Sequence, residues 1–199
     1  MGAEQRRDLA SFEPPVHEII RKKLSRSFIA VRRYDETTNH HPTIMTTENT
    51  TTGTVRLHRV LRAKPERVYR AFIDPAAMAK WLPPHGFTGT VHSMDAKVGG
   101  TYRMSFTNFS TGSSHAFGGR FLELEPGKRL RYDDQFEDPS LPGTMVTTVE
   151  LKEVFCGTEI HITQEGIPSM IPVEACYMGW QESLQLLAQL TEPEIPDQM

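Results

Sequence analysis

At 199 residues the chain has room for one domain and an extension, and a hydrophobic fraction of 38% with 10 Phe and 9 Met can supply a core. A formal net charge of −3 argues against nucleic acid as the main partner. No apolar run approaches the ~18 residues of a membrane span, and the N-terminus lacks the apolar stretch of a secretory signal. Cys156 and Cys176 form neither a CxxC pair nor a disulfide framework, so the expected location is a reducing cytoplasm.

Residues 1–52 differ in character from the rest of the chain. Residues 1–44 hold 8 Lys/Arg and 6 Asp/Glu, while residues 45–199 are acidic on balance. Between Pro15 and Tyr34, the residues Val16, Ile19, Ile20, Leu24, Phe28 and Val31 share one helical face, and residues 21–33 are basic without an acid. The pattern fits an amphipathic arm for an anionic surface, but a marginal helix on the domain or free in solution is the favoured reading. Asp35 to Thr54 reads as a polar linker, and Met45, at its centre, is a candidate biological start. The expected organisation is an extension over 1–52, a domain over 53–192 and a tail over 193–199. Residues 1–44 are expected to be dispensable for the fold.

Thr54 to Arg62 alternates, with Val55, Leu57 and Leu61 on one side, and predicts a strand. Pro65 opens a helix whose apolar face is Val68, Tyr69, Phe72 and Ile73. Asp74-Pro75 caps and begins a second, with Met78, Trp81 and Leu82 inward. The period then changes to two. Strands are predicted over 87–94, 101–109, 115–125, 129–137, 145–154 and 158–164, joined by turns such as Pro126-Gly127 and Cys156-Gly157. From Ile171 to Thr191, the residues Val173, Cys176, Tyr177, Trp180, Leu184, Leu187 and Leu190 recur at helical spacing over about five turns. Pro172 suits the first turn, and Pro193 and Pro196 end the helix. Short turns between successive strands make an antiparallel meander, and its apolar face needs the helix.

Four stretches in this order carry a resemblance: Ala63 to Phe72, Asp74 to Leu82, Val149 to Gly166, and Gly179-Trp180 with Leu184 and Leu187. Together they resemble the START-like, helix-grip (SRPBCC) superfamily. Within it they are similar to the bacterial family that resembles the C-terminal domain of the activator of the 90-kDa heat shock protein ATPase. The resemblance covers Thr54 to Thr191. It implies an α+β fold in which a curved antiparallel sheet of about seven strands wraps a long C-terminal helix, with two short helices after the first strand. It also implies a cavity between helix and sheet, used by relatives for hydrophobic small molecules. It does not imply one activity, because a fold does not fix function. Residues 1–52 are too short to be the N-terminal domain that the chaperone activator carries.

The favoured expectation is therefore a binding protein for a hydrophobic small molecule, with no cofactor and no metal, acting as a monomer or homodimer. The alternatives are an enzyme of cyclase or hydrolase type using a cavity carboxylate or tyrosine, and a protein-interaction module such as a chaperone regulator. The residues expected around the ligand are Trp81, Tyr102, Met104, Phe106, Phe117, Tyr132, Asp134, Phe136 and Met178. Asp133 and Asp134 are adjacent in a strand, so they point to opposite faces and one can enter the cavity. Tyr102 and Tyr132 offer an apolar body with one hydroxyl. Met104, Met145, Met170 and Met178 with Phe106, Phe117, Phe121 and Phe136 form an adaptable lining or ordinary core. His58, His92, His115 and His161 lie on different strands, and no HExxH or CxxC spacing accompanies them.

Overall fold

Alternating segments of the sequence become seven strands of one sheet in a computed structural model that describes residues 52–196. The predicted arm, most of the linker, Met45 and the last three residues lie outside the described residues. In chain order the elements are β1 (Gly53–Leu61), α1 (Pro65–Ile73), α2 (Pro75–Trp81), β2 (Phe87–Met94), β3 (Thr101–Asn108) and β4 (Ser114–Glu125). They continue with β5 (Arg129–Phe136), β6 (Met145–Val154), β7 (Gly157–Ile167) and α3 (Val173–Thr191). The sheet order is β1-β7-β6-β5-β4-β3-β2, and every adjacent pair is antiparallel. The fold is the expected α+β architecture, a curved sheet around a C-terminal helix.

Topology explains the curvature. β1 and β2 are the two edges of the sheet, yet they are consecutive in the chain and joined only through α1 and α2. The sheet must curl for so short a connection to span its edges. Both short helices start where local chemistry dictates. Pro65 and Pro75 occupy first-turn positions, and the Asp74 carboxylate accepts from the N–H groups of Ala76 and Ala77 at 2.9 and 3.0 Å.

The long helix begins two residues later than its periodicity predicts, with Pro172 as the N-cap residue rather than inside the first turn. Its backbone runs nearest β1 and the two short helices. Trp180, Leu184, Leu187 and Ala188 are buried, as are the polar Ser183 and Thr191. Those two hydroxyls are satisfied at once: Ser183 donates to the Leu82 and Gly179 carbonyls, and Thr191 to that of Leu187. Tyr177, which shares the predicted stripe, is 44% exposed, because the first turns of α3 are only partly covered. No helix among the described residues is long and apolar enough to cross a membrane.

Candidate functional site

Inward residues of β3, β4 and β5 are aromatic and polar where those of β6 and β7 are mostly aliphatic. Tyr102 and Met104 come from β3, Phe117 and Phe121 from β4, and Tyr132 and Asp134 from β5; all are buried. Register decides which of them meet: Met104 pairs with Phe117 and Phe121 with Tyr132. The rings of Tyr102, Phe121 and Tyr132 form one group, with centroids 5.6, 5.9 and 6.4 Å apart. Phe117 packs edge-on between Phe106 and Phe136, at 4.9 and 6.2 Å, and both of those rings are half-buried.

Gly119 is the position opposite Tyr102. A Cβ there would come within 2.0 Å of the Asp133 carbonyl oxygen, so only glycine lets β4 and β5 approach here. The Tyr102 hydroxyl reaches across and donates to the same carbonyl at 3.2 Å. The Asp133 carboxylate accepts from the Arg120 N–H at 2.7 Å.

The adjacent acids divide as strand geometry requires. Asp133 is only half-buried, and Asp134 lies inward at 5% exposure. Burial, and after it the charge of Asp133, push the Asp134 carboxyl up to about 7, with no hydrogen bond to offset them. Near neutral pH this side chain is therefore divided between acid and carboxylate. Its neighbours respond. Burial and then the Asp134 charge raise the phenols of Tyr102 and Tyr132, and the same two causes push the Cys176 thiol up to about 11. Thr147, the cross-strand partner of Tyr132, pulls that phenol slightly back. No bond of good geometry joins the two hydroxyls, however, and Thr147 Oγ1 is fully buried without a partner.

Gln164, next to Thr147 on β7, ties this cluster to the helix. Its Oε1 accepts from the Trp180 indole at 2.9 Å and from the Cys176 thiol at 3.1 Å. Thr147 and Gln164 were absent from the expected site residues. Their signal was present, since each is a polar residue at an inward position of an otherwise apolar alternation: Met145, Thr147, Val149 and Ile160, Ile162, Gln164.

The predicted site residues separate into three groups. Tyr102, Met104, Phe106, Phe117, Tyr132, Asp134 and Phe136 share the inner face of β3–β5. Trp81 is buried elsewhere: its indole donates to the Ala71 carbonyl at 2.8 Å, and its ring packs on Phe72 at 4.7 Å and faces Trp180 at 6.5 Å. Met178 is 60% exposed, and Met170 is exposed as well, so neither belongs to the inner lining. The helical stripe points Trp180 inward, and Met178, two residues earlier, falls on the opposite side. Two open depressions lie on the surface. One is bordered by Glu66, Arg67, Arg70, Glu194 and Ile195, and the other, about 640 Å³, lies around Arg103, Arg120 and Gln135. Neither lies beneath α3. On the outer face, strand pairing also brings His58, Glu159 and His161 together.

Residues 62–192 match the family described as activator of Hsp90 ATPase homolog 1-like protein. The chain belongs to this family. A crystal structure from Chromobacterium violaceum is 60% identical, covers 71% of this chain and 98% of its own, and superposes with a TM-score of 0.70. Proteins from Rhodobacter sphaeroides and Rhizobium leguminosarum, at 21% and 23% identity, share the fold with a TM-score of 0.60 each. Their alignments cover 70% of this chain and 95% and 93% of theirs. No curated protein matches. Membership of the activator-like family makes this a ligand-binding type of fold, and the family match leaves the ligand unnamed.

Proposed function

We propose that the protein binds a small, mainly apolar molecule on the inner face of β3–β5, with Asp134, Tyr132 and Thr147 engaging one polar group on it. The observation that carries this reading is Thr147 Oγ1, fully buried without a partner in an aromatic setting beside Tyr132 and the buried Asp134 carboxyl. A buried hydroxyl without a partner costs about 1–3 kcal/mol, and a bound polar group removes that cost. Tyr102, Phe117, Phe121 and Met104 offer the apolar body its surface. This reading takes the half-covered first turns of α3, at Cys176 and Gly179, as the route in. As an acid, Asp134 donates to a ligand carbonyl; as a carboxylate, it accepts from a ligand hydroxyl.

A thermal-shift screen of fatty acids, sterols and aromatic polyketides, paired with native mass spectrometry, tests this. A ligand at a hundredfold excess over its dissociation constant should add about 2.7 kcal/mol of stability. Met104→Trp, which fills the face, should abolish the shift while the protein stays folded. If no compound shifts the wild type and no molecule is retained in the mass spectrum, the binding reading fails and a protein-interaction role takes its place.

One observation favours a second reading. A buried carboxyl near pH 7 is suited to general acid or base catalysis, as in an enzyme of cyclase type. Asp134→Asn separates the two: a binder that engages this carboxyl loses affinity, whereas an enzyme keeps affinity and loses turnover.

A further inference from the structure

We propose that His58, Glu159 and His161 form a binding site for a divalent transition metal, best matched by Zn²⁺, on the outer face of the sheet where edge strand β1 pairs with β7. The site is independent of the inner face. His58 and His161 are direct cross-strand partners, and Glu159 precedes His161 by two residues, so all three side chains leave the same face. The linear sequence hides this arrangement because the two histidines are more than a hundred residues apart.

The donors converge on one point. Both imidazole Nε2 atoms approach Glu159 Oε1, His58 at 3.0 Å and His161 at 3.5 Å, and the rings lie 4.6 Å apart. All three donor atoms fall within 4.8 Å of one another. Zinc bonds of about 2.1 Å at tetrahedral angles separate their donors by about 3.4 Å, which the two nitrogen–oxygen distances bracket. Each side chain is partly exposed, His58 at 52%, His161 at 51% and Glu159 at 26%, so small rotations can close the remaining distance. Two imidazoles and one carboxylate favour zinc or a similar transition metal over calcium or magnesium, which prefer oxygen throughout.

The charges around the site are compatible with a cation. Glu159 Oε1 is turned toward both imidazoles, 3.0 Å from His58 Nε2 and 3.5 Å from His161 Nε2. Lys152 approaches the other carboxylate oxygen, Oε2, at 4.0 Å and leaves Oε1 to the metal. Glu150, the cross-strand partner of His161, adds a further negative charge, partly engaged by Arg129. Three protein ligands leave the fourth position of a tetrahedral ion to water or to a donor from another molecule. A bound ion would also clamp edge strand β1 to β7.

Titration of the full-length, EDTA-stripped protein with ZnCl₂ near neutral pH, followed by calorimetry and by melting temperature, tests the proposal. Zn²⁺ should raise the melting temperature, and Mg²⁺ should not. His58→Ala and His161→Ala should each weaken Zn²⁺ binding by about tenfold or more, since even losing an outer-shell partner costs about 10–100-fold. Glu159→Gln should weaken it with the shape of the site kept, and His92→Ala should leave it unchanged. Zn²⁺ binding insensitive to both histidine substitutions, or no binding by the wild type, would overturn the proposal and leave a hydrogen-bonded surface cluster.

Discussion

The sheet of this protein has two inner surfaces that differ in kind. Beneath the C-terminal half of α3, strands β1, β7 and β6 contribute Leu57, Leu61, Ile160, Ile162, Val149 and Leu151, which share one core with Leu184 and Leu187. Across β3–β5 the buried inward set is Tyr102, Met104, Phe117, Phe121, Leu130, Tyr132 and Asp134, in which aromatic and polar groups predominate. Aliphatic side chains carry no polar atoms, so the first surface is complete once water is excluded. The second holds a carboxyl and hydroxyls in a low-dielectric setting, where a polar atom without a partner is costly. Thr147 and Gln164, paired across β6 and β7, stand at the seam. Under the proposed function, the first surface builds the fold and the second takes the ligand.

Trp180 anchors the aliphatic side at that seam, and its removal should have the largest effect. Trp180→Ala should cost about 3–5 kcal/mol in chemical denaturation. A cost below about 1 kcal/mol would mean that the helix is not held there, and the two surfaces would no longer be distinct in role.

Asp134→Asn sharpens the comparison through pH. The folded carboxyl titrates at about 7 against an ordinary value of 3.8, so folding favours the protonated form. The stability this group contributes is therefore full below about pH 4, falls as pH rises through 7, and levels off above. Relative to the Asn variant, the wild type should lose up to about 4 kcal/mol across that window. A flat difference curve would mean that the carboxyl is solvated and that the second surface is open to water.

Gln164→Ala should cost about 1–3 kcal/mol, because the buried Trp180 indole loses its acceptor. A neutral result would place a water at the seam. The smallest effects belong to the uncovered turns of α3. Tyr177→Ala and Met178→Ala should each stay within about 0.5 kcal/mol of the wild type in the same denaturation experiment. If either costs as much as Trp180→Ala, the half-covered start of the helix is packed in solution, and entry to the inner face must lie elsewhere.

Much of this was legible in the sequence, for reasons that are local. Alternation marked six of the seven strands to within a residue or two at each end, and Pro65, Asp74 and Pro75 marked the helix starts, because strand period and capping depend on neighbours along the chain. The adjacent pair Asp133-Asp134 already required one acid on each face. Periodicity also placed Trp180, Leu184 and Leu187 on the buried side of α3, but it set Tyr177 there too. Spacing reports the face of a helix and not how far along its length the sheet extends. Only the tertiary structure decided what crosses between strands. The register set Tyr102 over Gly119, left Thr147 without a partner beside Tyr132, and gave Gln164 to Trp180. The same pairing placed His58 against His161. Such contacts depend on which strands adjoin and in what register, and no spacing within a single segment encodes that.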